Sequence, residues 1–300
     1  MLQIINMDTF SISQISQFSG VKPHTIRMWE QRYGALKPNR SEGNTRYYSN
    51  AQLRRLLNIV SLKNAGYKLG ELGAMPDEKL NELVLEEQEQ TTTDQTDEYF
   101  VLQLIAAGMS YDELYFEKVF SHCLLRYGMT DAYSRIIYPV MVRLGLMWTS
   151  DRMPPVQEHF LSNLLRQKLL TAIDSLPPAE PEADKWLLFL PENEFHELGL
   201  LFAHYLIRRS GHQAIYLGAN VPLQLLRNAV ADTGSDRLLF FLVHNDLPEN
   251  SRTYLDQLKD SIPDKTIYLS GNRDLISQLK TGKSMIWLKS VEHLEQQLNA

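Results

Sequence analysis

One histidine in the C-terminal third of the chain has the surroundings of a metal ligand. His196 lies in a short polar loop that follows a predicted buried strand, two residues after Glu194. A metal-binding imidazole usually needs a carboxylate to hold its other ring nitrogen, and Glu194 is the candidate. Gly199 has no side chain and would let a bulky group approach closely. These residues are compatible with metal ligation, and a histidine without a ligand role is the alternative.

A second group of candidate ligand contacts lies near the middle of the chain. Trp148 is followed by nine residues and then by Glu158 and His159. The intervening stretch contains paired prolines, which end one helix and begin another. A single tryptophan usually belongs to a core, and a single histidine is usually an ordinary surface or core group. Taken alone, these residues therefore assign no ligand.

The N-terminal quarter has the charge expected of a module that contacts a polyanion. Residues 1–75 contain ten lysines and arginines and four acidic residues, a net charge of +6. The rest of the chain carries a net charge of −12. A basic module on an acidic body favours contact with nucleic acid, and an uneven surface charge without such a partner is the alternative.

The same quarter has the pattern of a helix-turn-helix. Apolar residues predict a short amphipathic helix over 11–18, and the segment around Gly20 predicts a tight turn. Pro23 suits the first turn of a second helix, since its missing amide donor has no partner there. We expect Met28 and Trp29 to form the buried face of this second helix.

A wing follows the second helix. A glycine-asparagine turn flanked by Arg40 and Arg46 predicts a hairpin, and Ser49 can cap the next helix. Donors at the start of a groove-binding helix read bases, and arginines on a wing grip phosphates or the minor groove. The candidate DNA-binding residues are Lys22, His24, Thr25, Arg27, Arg40, Arg46 and Tyr47.

Two polar stretches predict linkers that divide the chain into three modules. Residues 86–98 lack apolar periodicity, and residues 175–184 contain three prolines, which disfavour helix. We therefore expect a DNA-binding module over 1–83, a helical module over 97–176 and a third module over 184–300.

The second and third modules have different periodicities. Helical patterns with short connections favour an antiparallel four-helix bundle, over 99–108, 110–127, 129–149 and 156–173. Apolar strands that alternate with helices predict a parallel, doubly wound, Rossmann-like (flavodoxin-like) α/β sheet. The predicted strands are 186–190, 214–217, 238–243, 266–270 and 284–288, and the predicted helices include 198–209, 223–231 and 251–260. Such sheets bind ligands at the carboxyl ends of their strands.

Composition excludes several classes of protein. The single cysteine, Cys123, cannot form an internal disulfide or a cysteine zinc site. Hydrophobic residues make up 44% and charged residues 22%, which is ordinary for a globular chain and excludes a mainly disordered one. No apolar run reaches the length of a membrane span, and the N-terminus lacks a secretion signal. We therefore expect a cytoplasmic protein without a membrane partner.

The N-terminal module resembles the winged helix-turn-helix of MerR-type transcription regulators over residues 11–72. The resemblance rests on TIRMWEQRYG at 25–34, LKPNR at 36–40 and RYYS at 46–49. It implies a dimer that binds an inverted repeat in double-stranded operator DNA. The chain lacks the cysteines and the long dimerisation helix of metal-sensing MerR regulators, which disfavours that variant.

The third module is similar to cobalamin-binding domains. Glu194-x-His196-x-x-Gly199 matches their Asp/Glu-x-His-x-x-Gly motif, in which the histidine replaces dimethylbenzimidazole as the lower cobalt ligand. Residues 216–222 match their second strand and loop. The resemblance therefore implies that Gly218, Asn220, Ser270 and Gly271 also contact the cofactor, together with Glu194, His196 and Gly199.

Two segments depart from the cobalamin-binding pattern. The family has Ser-x-Leu after its third strand, whereas this chain has FFLVHND at 240–246, where His244 has no assigned role. The family has Gly-Gly after its fourth strand, and here the pair is Ser270-Gly271. These positions line the pocket for the nucleotide tail in the family, so a larger side chain could narrow that pocket.

The spacing from Trp148 to Glu158 and His159 matches the upper-face motif of the CarH/LitR group, light-sensing cobalamin-dependent MerR-type repressors. The resemblance implies adenosylcobalamin between the bundle and the Rossmann-like domain, with His196 below the cobalt. Trp148 and Glu158 would contact the adenosyl group, and His159 is a candidate upper ligand after photolysis. It also implies a homotetramer that represses in the dark and releases DNA when light cleaves the cobalt–carbon bond.

The function expected from these observations is a light-responsive, cobalamin-dependent transcriptional repressor. One alternative is a MerR-type regulator that represses without cobalamin, through dimerisation or another ligand in the C-terminal half. A cobalamin enzyme or methyl carrier belongs to a different class. The fused DNA-binding module, with no catalytic domain beside it, disfavours that class.

Overall fold

The computed structural model describes residues 9–41, 43–90, 93–149, 155–243, 248–279 and 285–299. The chain divides into two compact units, Met1–Leu164 and Leu165–Ala300, with the division inside one helix. Within the described ranges, no helix is both long and apolar enough to cross a membrane.

The N-terminal part of the first unit is a winged helix-turn-helix. Its elements are β1 (Thr9–Ser11), α1 (Ile12–Ser19), α2 (Pro23–Tyr33), β2 (Asn39–Arg40), β3 (Arg46–Ser49), α3 (Asn50–Asn64), α4 (Leu69–Ala74) and α5 (Asp77–Gln90). Ser11 caps α1 through a reciprocal pair of hydrogen bonds with Gln14, and Ser49 caps α3. Gly20 ends α1 at φ 69°, a left-handed conformation that glycine adopts without strain. The predicted helices, turn and wing are confirmed.

The prediction that Met28 faces the core is wrong. Met28 is 43% exposed, whereas Trp29 is 4% exposed. Successive helical residues differ in direction by about 100°, so neighbours cannot share one narrow buried face. Ile26 and Trp29 are three residues apart and form that face of α2 together.

The rest of the first unit and the start of the second are helical. The elements are α6 (Thr93–Met109), α7 (Glu113–Ala132), a π-helical turn (Tyr133–Ile137), α8 (Tyr138–Thr149) and α9 (Pro155–Asp174). The predicted break after residue 127 coincides with Gly128, which has φ 68° and ψ 176° inside α7. The four predicted helices are therefore present, with an additional π-helical turn.

The predicted linker over 86–98 is helical in the part that the structure describes. Helix α5 continues to Gln90, and α6 already begins at Thr93. Glutamate and glutamine are good helix formers, so a polar stretch can remain helical without an apolar stripe of its own. The second predicted linker, 175–184, contains neither helix nor strand.

A buried polar network joins α3 of the DNA-binding module to the helical module. Gln103 on α6 donates to Asn58 Oδ1 at 3.0 Å, and Asn58 donates to Asn81 at 2.6 Å. Tyr115 on α7 donates to Gln103 Oε1 at 2.6 Å, and burial raises the pKa of Tyr115 to about 12. Arg54 on α3 forms an ion pair with the α7 cap residue at 2.7 Å. The two modules therefore share a specific interface.

The second unit is a five-stranded parallel sheet with helices between its strands. Its elements are β4 (Lys185–Pro191), α10 (Leu198–Arg209), β5 (Gln213–Val221), α11 (Leu223–Thr233), β6 (Arg237–Leu242), α12 (Pro248–Ser261), β7 (Thr266–Gly271), α13 (Arg273–Ser277), β8 (Met285–Trp287) and α14 (Val291–Leu298). The strand order is β5-β4-β6-β7-β8, and all neighbours are parallel. The order reverses at β4, so the switch point lies between β4 and β6, as in flavodoxin-like sheets.

We expect Gln103→Leu to lower the free energy of unfolding by roughly 2–4 kcal/mol. The substitution removes the donor to Asn58 Oδ1 and the acceptor of the Tyr115 hydroxyl, and both bonds lie in the packed interface. Denaturant unfolding followed by circular dichroism measures the loss. Adding Tyr115→Phe should recover part of it, since the phenylalanine leaves no hydroxyl to satisfy. The exposed Gln167→Leu is the control and should change stability by less than about 0.5 kcal/mol. Equal stability of Gln103→Leu and the control would contradict a stabilising role for the Gln103 hydrogen bonds.

Candidate functional site

The carboxylate of Glu194 organises the loop at the switch point. Glu194 is buried in the turn after β4, and its Oε1 accepts a hydrogen bond from the Nδ1 of His196 at 2.5 Å. The same oxygen accepts the backbone N–H groups of Phe195 and His196. Its Oε2 accepts the N–H of Val243, which follows β6, at 2.8 Å. The buried charge is therefore satisfied by donors from two neighbouring strand ends.

This arrangement fixes the chemistry of the His196 ring. A carboxylate only accepts hydrogen bonds, so the ring proton lies on Nδ1 and the lone pair lies on Nε2. The side chain of His196 is 54% exposed although its partner is buried. An imidazole oriented in this way by a carboxylate is suited to bind a metal through Nε2. The predicted pairing of Glu194 with His196 agrees with the geometry.

A second glutamate–histidine pair lies at the start of α9 in the first unit. The Nδ1 of His159 is 2.8 Å from Glu158 Oε2, and the His159 side chain is 69% exposed. Its Nε2 is therefore also the nitrogen suited to a metal. Trp148 lies near the end of α8, and its side chain is outside the described part of the chain.

The loop after β5 supports the loop that carries His196. Asn220 Oδ1 accepts the N–H of Asn193 at 2.9 Å, and the N–H of Asn220 donates to the carbonyl of Glu194 at 3.2 Å. Asn220 has φ 57° and Gly218 has φ 81°, both left-handed conformations. Both predicted site residues therefore lie beside the His196 loop, where Asn220 positions its backbone.

A further polar network beside His196 was missed in the sequence. Glu197 accepts a hydrogen bond from the Tyr216 hydroxyl at 2.8 Å and forms an ion pair with Arg166 at 2.9 Å. The Tyr216 ring stacks on His204, with centroids 5.3 Å apart. Burial, with a smaller contribution from nearby Arg208, lowers the pKa of His204 to about 4, so this ring is neutral at pH 7. The only sequence signal was a second glutamate next to His196.

The positions expected to surround a nucleotide tail are closely packed. A Cβ added to Gly199 would lie 2.8 Å from the Phe241 ring, so the ring lies against the first turn of α10. A Cβ on Gly271 would lie 2.1 Å from the carbonyl oxygen of Leu242. Ser270 donates its hydroxyl to the Leu288 carbonyl at 3.0 Å. The Glu194–His196 pair fits a cobalt corrinoid, and the positions expected to line the tail pocket are packed against Phe241 and the Leu242 carbonyl. His244, also noted in the sequence, lies outside the described residues.

The candidate DNA contacts fall into two groups. Lys22, His24 and Arg27 are exposed at the start of α2, and Thr25 is half-buried between them. On the wing, Arg40 is exposed and donates to Asn44 at 2.6 Å.

The other wing residues, Arg46 and Tyr47, are less exposed than Arg40. Tyr47 is half-buried. The Nε of Arg46 binds Glu30 at 3.1 Å, and the Tyr48 hydroxyl also donates to Glu30. Arg46 is thus tied to α2 and positions the wing, whereas Arg27 and Arg40 present exposed charge.

Two family models match the chain. Residues 10–78 match the MerR HTH family regulatory protein model, and residues 101–171 match the model described as a B12 binding domain. The second match covers the helical module, so the helices themselves resemble a B12 binding domain.

Similar proteins cover most of the chain. The HTH-type transcriptional repressor CarH of Myxococcus xanthus is 26% identical over 85% of this chain and 86% of its own length. The repressor CarA of the same organism is 28% identical over 83% and 81%. The Methanosarcina barkeri monomethylamine corrinoid protein covers 68% of this chain and 99% of its own, with a TM-score of 0.50 and 14% identity, a similarity of fold.

These comparisons agree with the expected class of protein. The relatives that span most of the chain are repressors, which supports a regulator rather than an enzyme. The chain thus matches a MerR HTH model in its N-terminal module and a B12-binding model in its helical module, and it is similar over most of its length to the transcriptional repressors CarH and CarA.

Proposed function

We propose that this chain is a transcriptional repressor controlled by adenosylcobalamin and light, a tetramer on its operator in the dark that dissociates in the light. The observation that carries the proposal is the Glu194–His196 pair. It lies at the switch point of a parallel sheet, in a chain that also has a MerR-type helix-turn-helix. An exposed imidazole oriented by a buried carboxylate is the donor that a cobalt corrinoid requires.

In this proposal, His196 would bind the cobalt ion of the cofactor through Nε2. Glu194 retains the Nδ1 proton, fixes the ring plane and makes Nε2 a stronger donor. Adenosylcobalamin supplies, when bound, a cobalt–carbon bond that visible light cleaves. Gly199, Gly218, Asn220, Ser270 and Gly271 are the remaining cofactor contacts that we propose in this unit.

Trp148, Glu158 and His159 are the cofactor contacts that we propose in the first unit. Glu158 holds the Nδ1 of His159, so the Nε2 of His159 would be available as a second cobalt ligand in the lit state. Trp148 and Glu158 would contact the adenosyl group in the dark state. A ligand that prefers one assembly state shifts the population toward that state.

DNA binding is assigned to α2 and the wing. Lys22, His24, Thr25 and Arg27 begin the helix that would enter the major groove, and Arg40 extends from the wing beside it. Arg46 and Tyr47 would contact the backbone from β3. Two copies of this module in a dimer match the two halves of an inverted repeat.

Absorbance and molecular mass, measured in the dark and after green light, test the proposal. Purified chain is mixed with adenosylcobalamin, freed of unbound corrinoid and passed through a gel-filtration column with light scattering. We expect retained corrinoid, a tetramer in the dark and a smaller species after illumination. Retention without a change in mass would contradict light control. Loss of the corrinoid would favour the cobalamin-independent repressor, for which the packed Gly199–Phe241 contact is the specific observation.

Removal of the Glu194–His196 pair should weaken corrinoid binding. His196→Ala should abolish retention, and Glu194→Gln should weaken the affinity by about 10–100-fold because the imidazole loses its orienting carboxylate. Glu192→Gln, an exposed carboxylate in the same loop, is the matched control and should bind as the unaltered chain does. Spectrophotometric titration measures all three. Unchanged affinity in His196→Ala would remove His196 from the cobalt ligands.

Loss of exposed positive charge on α2 or the wing should weaken operator binding. Arg27→Ala and Arg40→Ala should each lower the affinity and reduce the salt dependence by about one ion, if each contacts one phosphate. Lys79→Ala on α5 removes the same charge away from α2 and the wing and is the control. Fluorescence anisotropy at several salt concentrations measures the slope. An unaltered slope would exclude that arginine from the phosphate contacts.

A further inference from the structure

The Phe241 side chain lies on the face of the sheet that carries α10. Its strand neighbours Phe240 and Leu242 belong to the core cluster on the opposite face, together with Leu226 of α11 and Leu255 of α12. Side chains alternate along a strand, so Phe241 points to the other side. There its ring carbons lie 2.8 and 3.0 Å from the position of a Cβ on Gly199. The ring therefore fills the space that the missing side chain of Gly199 leaves.

The ends of β6 and β7 are closely paired at this position. Phe241 pairs with Ser270 and Leu242 pairs with Gly271 across β6 and β7. The N–H of Asn272 donates to the Leu242 carbonyl at 2.7 Å, and Gly271, at φ 126°, has no space for a Cβ beside that carbonyl. The N–H of Val243 is held by Glu194. The backbone around Phe241 is thus fixed by hydrogen bonds on both sides.

The site offers different space to the metal and to the lower nucleotide base of a corrinoid. The exposed imidazole of His196 can take the metal, whereas the position beside Gly199 is already filled by an aromatic ring. A second bulky ring could enter only after Phe241 had left, and interiors packed in this way resist added volume.

Resting on the function proposed above, we propose that Phe241 determines which corrinoid this chain binds. It takes the volume of a lower nucleotide base, so the site prefers corrinoids without that base, of the cobinamide type, over complete cobalamin. His196 supplies the lower ligand that such corrinoids lack. The role of Phe241 is to occupy a volume, and it makes no contact with cobalt.

Titration of the full chain with adenosylcobinamide and adenosylcobalamin in the dark tests the proposal. We expect adenosylcobinamide to bind at least about tenfold more tightly. Phe241→Ser should reduce that ratio by about tenfold or more, because it removes the ring and restores room beside Gly199. Phe241→Tyr keeps the ring and should keep the preference. If circular dichroism shows that the melting temperature of Phe241→Ser is clearly lowered, Phe241→Val replaces it in the titration. Valine also removes the ring and keeps an apolar strand residue.

The outcomes separate this inference from the proposed function. Equal or tighter binding of adenosylcobalamin by the unaltered chain would overturn the selectivity and leave the cobalamin-controlled repressor standing. A cobinamide preference that both Phe241→Ser and Phe241→Val retain would overturn the role of Phe241. Binding of neither corrinoid by the unaltered chain would overturn both, and operator binding without any corrinoid would then assign a cobalamin-independent repressor.

Discussion

The candidate site depends on one buried carboxylate. Glu194 lies at the switch point of the sheet, where the connections after β4 and β6 leave on opposite faces, and an unpaired buried charge there would be energetically costly. The N–H groups at two strand ends and the imidazole of His196 satisfy it together. The hydrogen bonds that make burial of Glu194 tolerable also fix the loop and the tautomer of His196. A change in the register of β6 would therefore disturb the histidine as well.

The same chemical arrangement occurs in both units. Glu194 holds Nδ1 of His196, and Glu158 holds Nδ1 of His159, so each exposed ring offers Nε2. The two pairs differ in the burial of the carboxylate. Glu194 is nearly inaccessible and rigidly bonded, whereas the Glu158 side chain retains 24% exposure. These environments are compatible with the two proposed roles, a cobalt ligand in both states for His196 and in the lit state for His159.

The connection between the DNA-binding and helical modules is also polar and buried. Gln103 accepts from one module and donates to the other, so its amide is satisfied only when α3, α6 and α7 are correctly placed. Such a network specifies one relative arrangement of these helices more strictly than apolar contact would. Within the first unit, a displacement of α6 or α7 would therefore disturb the hydrogen bonds to α3 directly.

The periodic elements and the local motifs could be predicted from the amino-acid sequence. Helix caps at Ser11 and Ser49, the wing and the strand–helix alternation follow from short-range chemistry, and the Glu194-x-His196 spacing places both side chains in one turn. The distant residues that complete each site become visible only in the folded chain. Val243 reaches Glu194 from another strand, and Phe241 meets Gly199 across the α10 face. Arg46 is held by Glu30 of α2. Local secondary-structure propensity carries no information about these contacts, because strand order and packing bring together residues that are far apart in the chain.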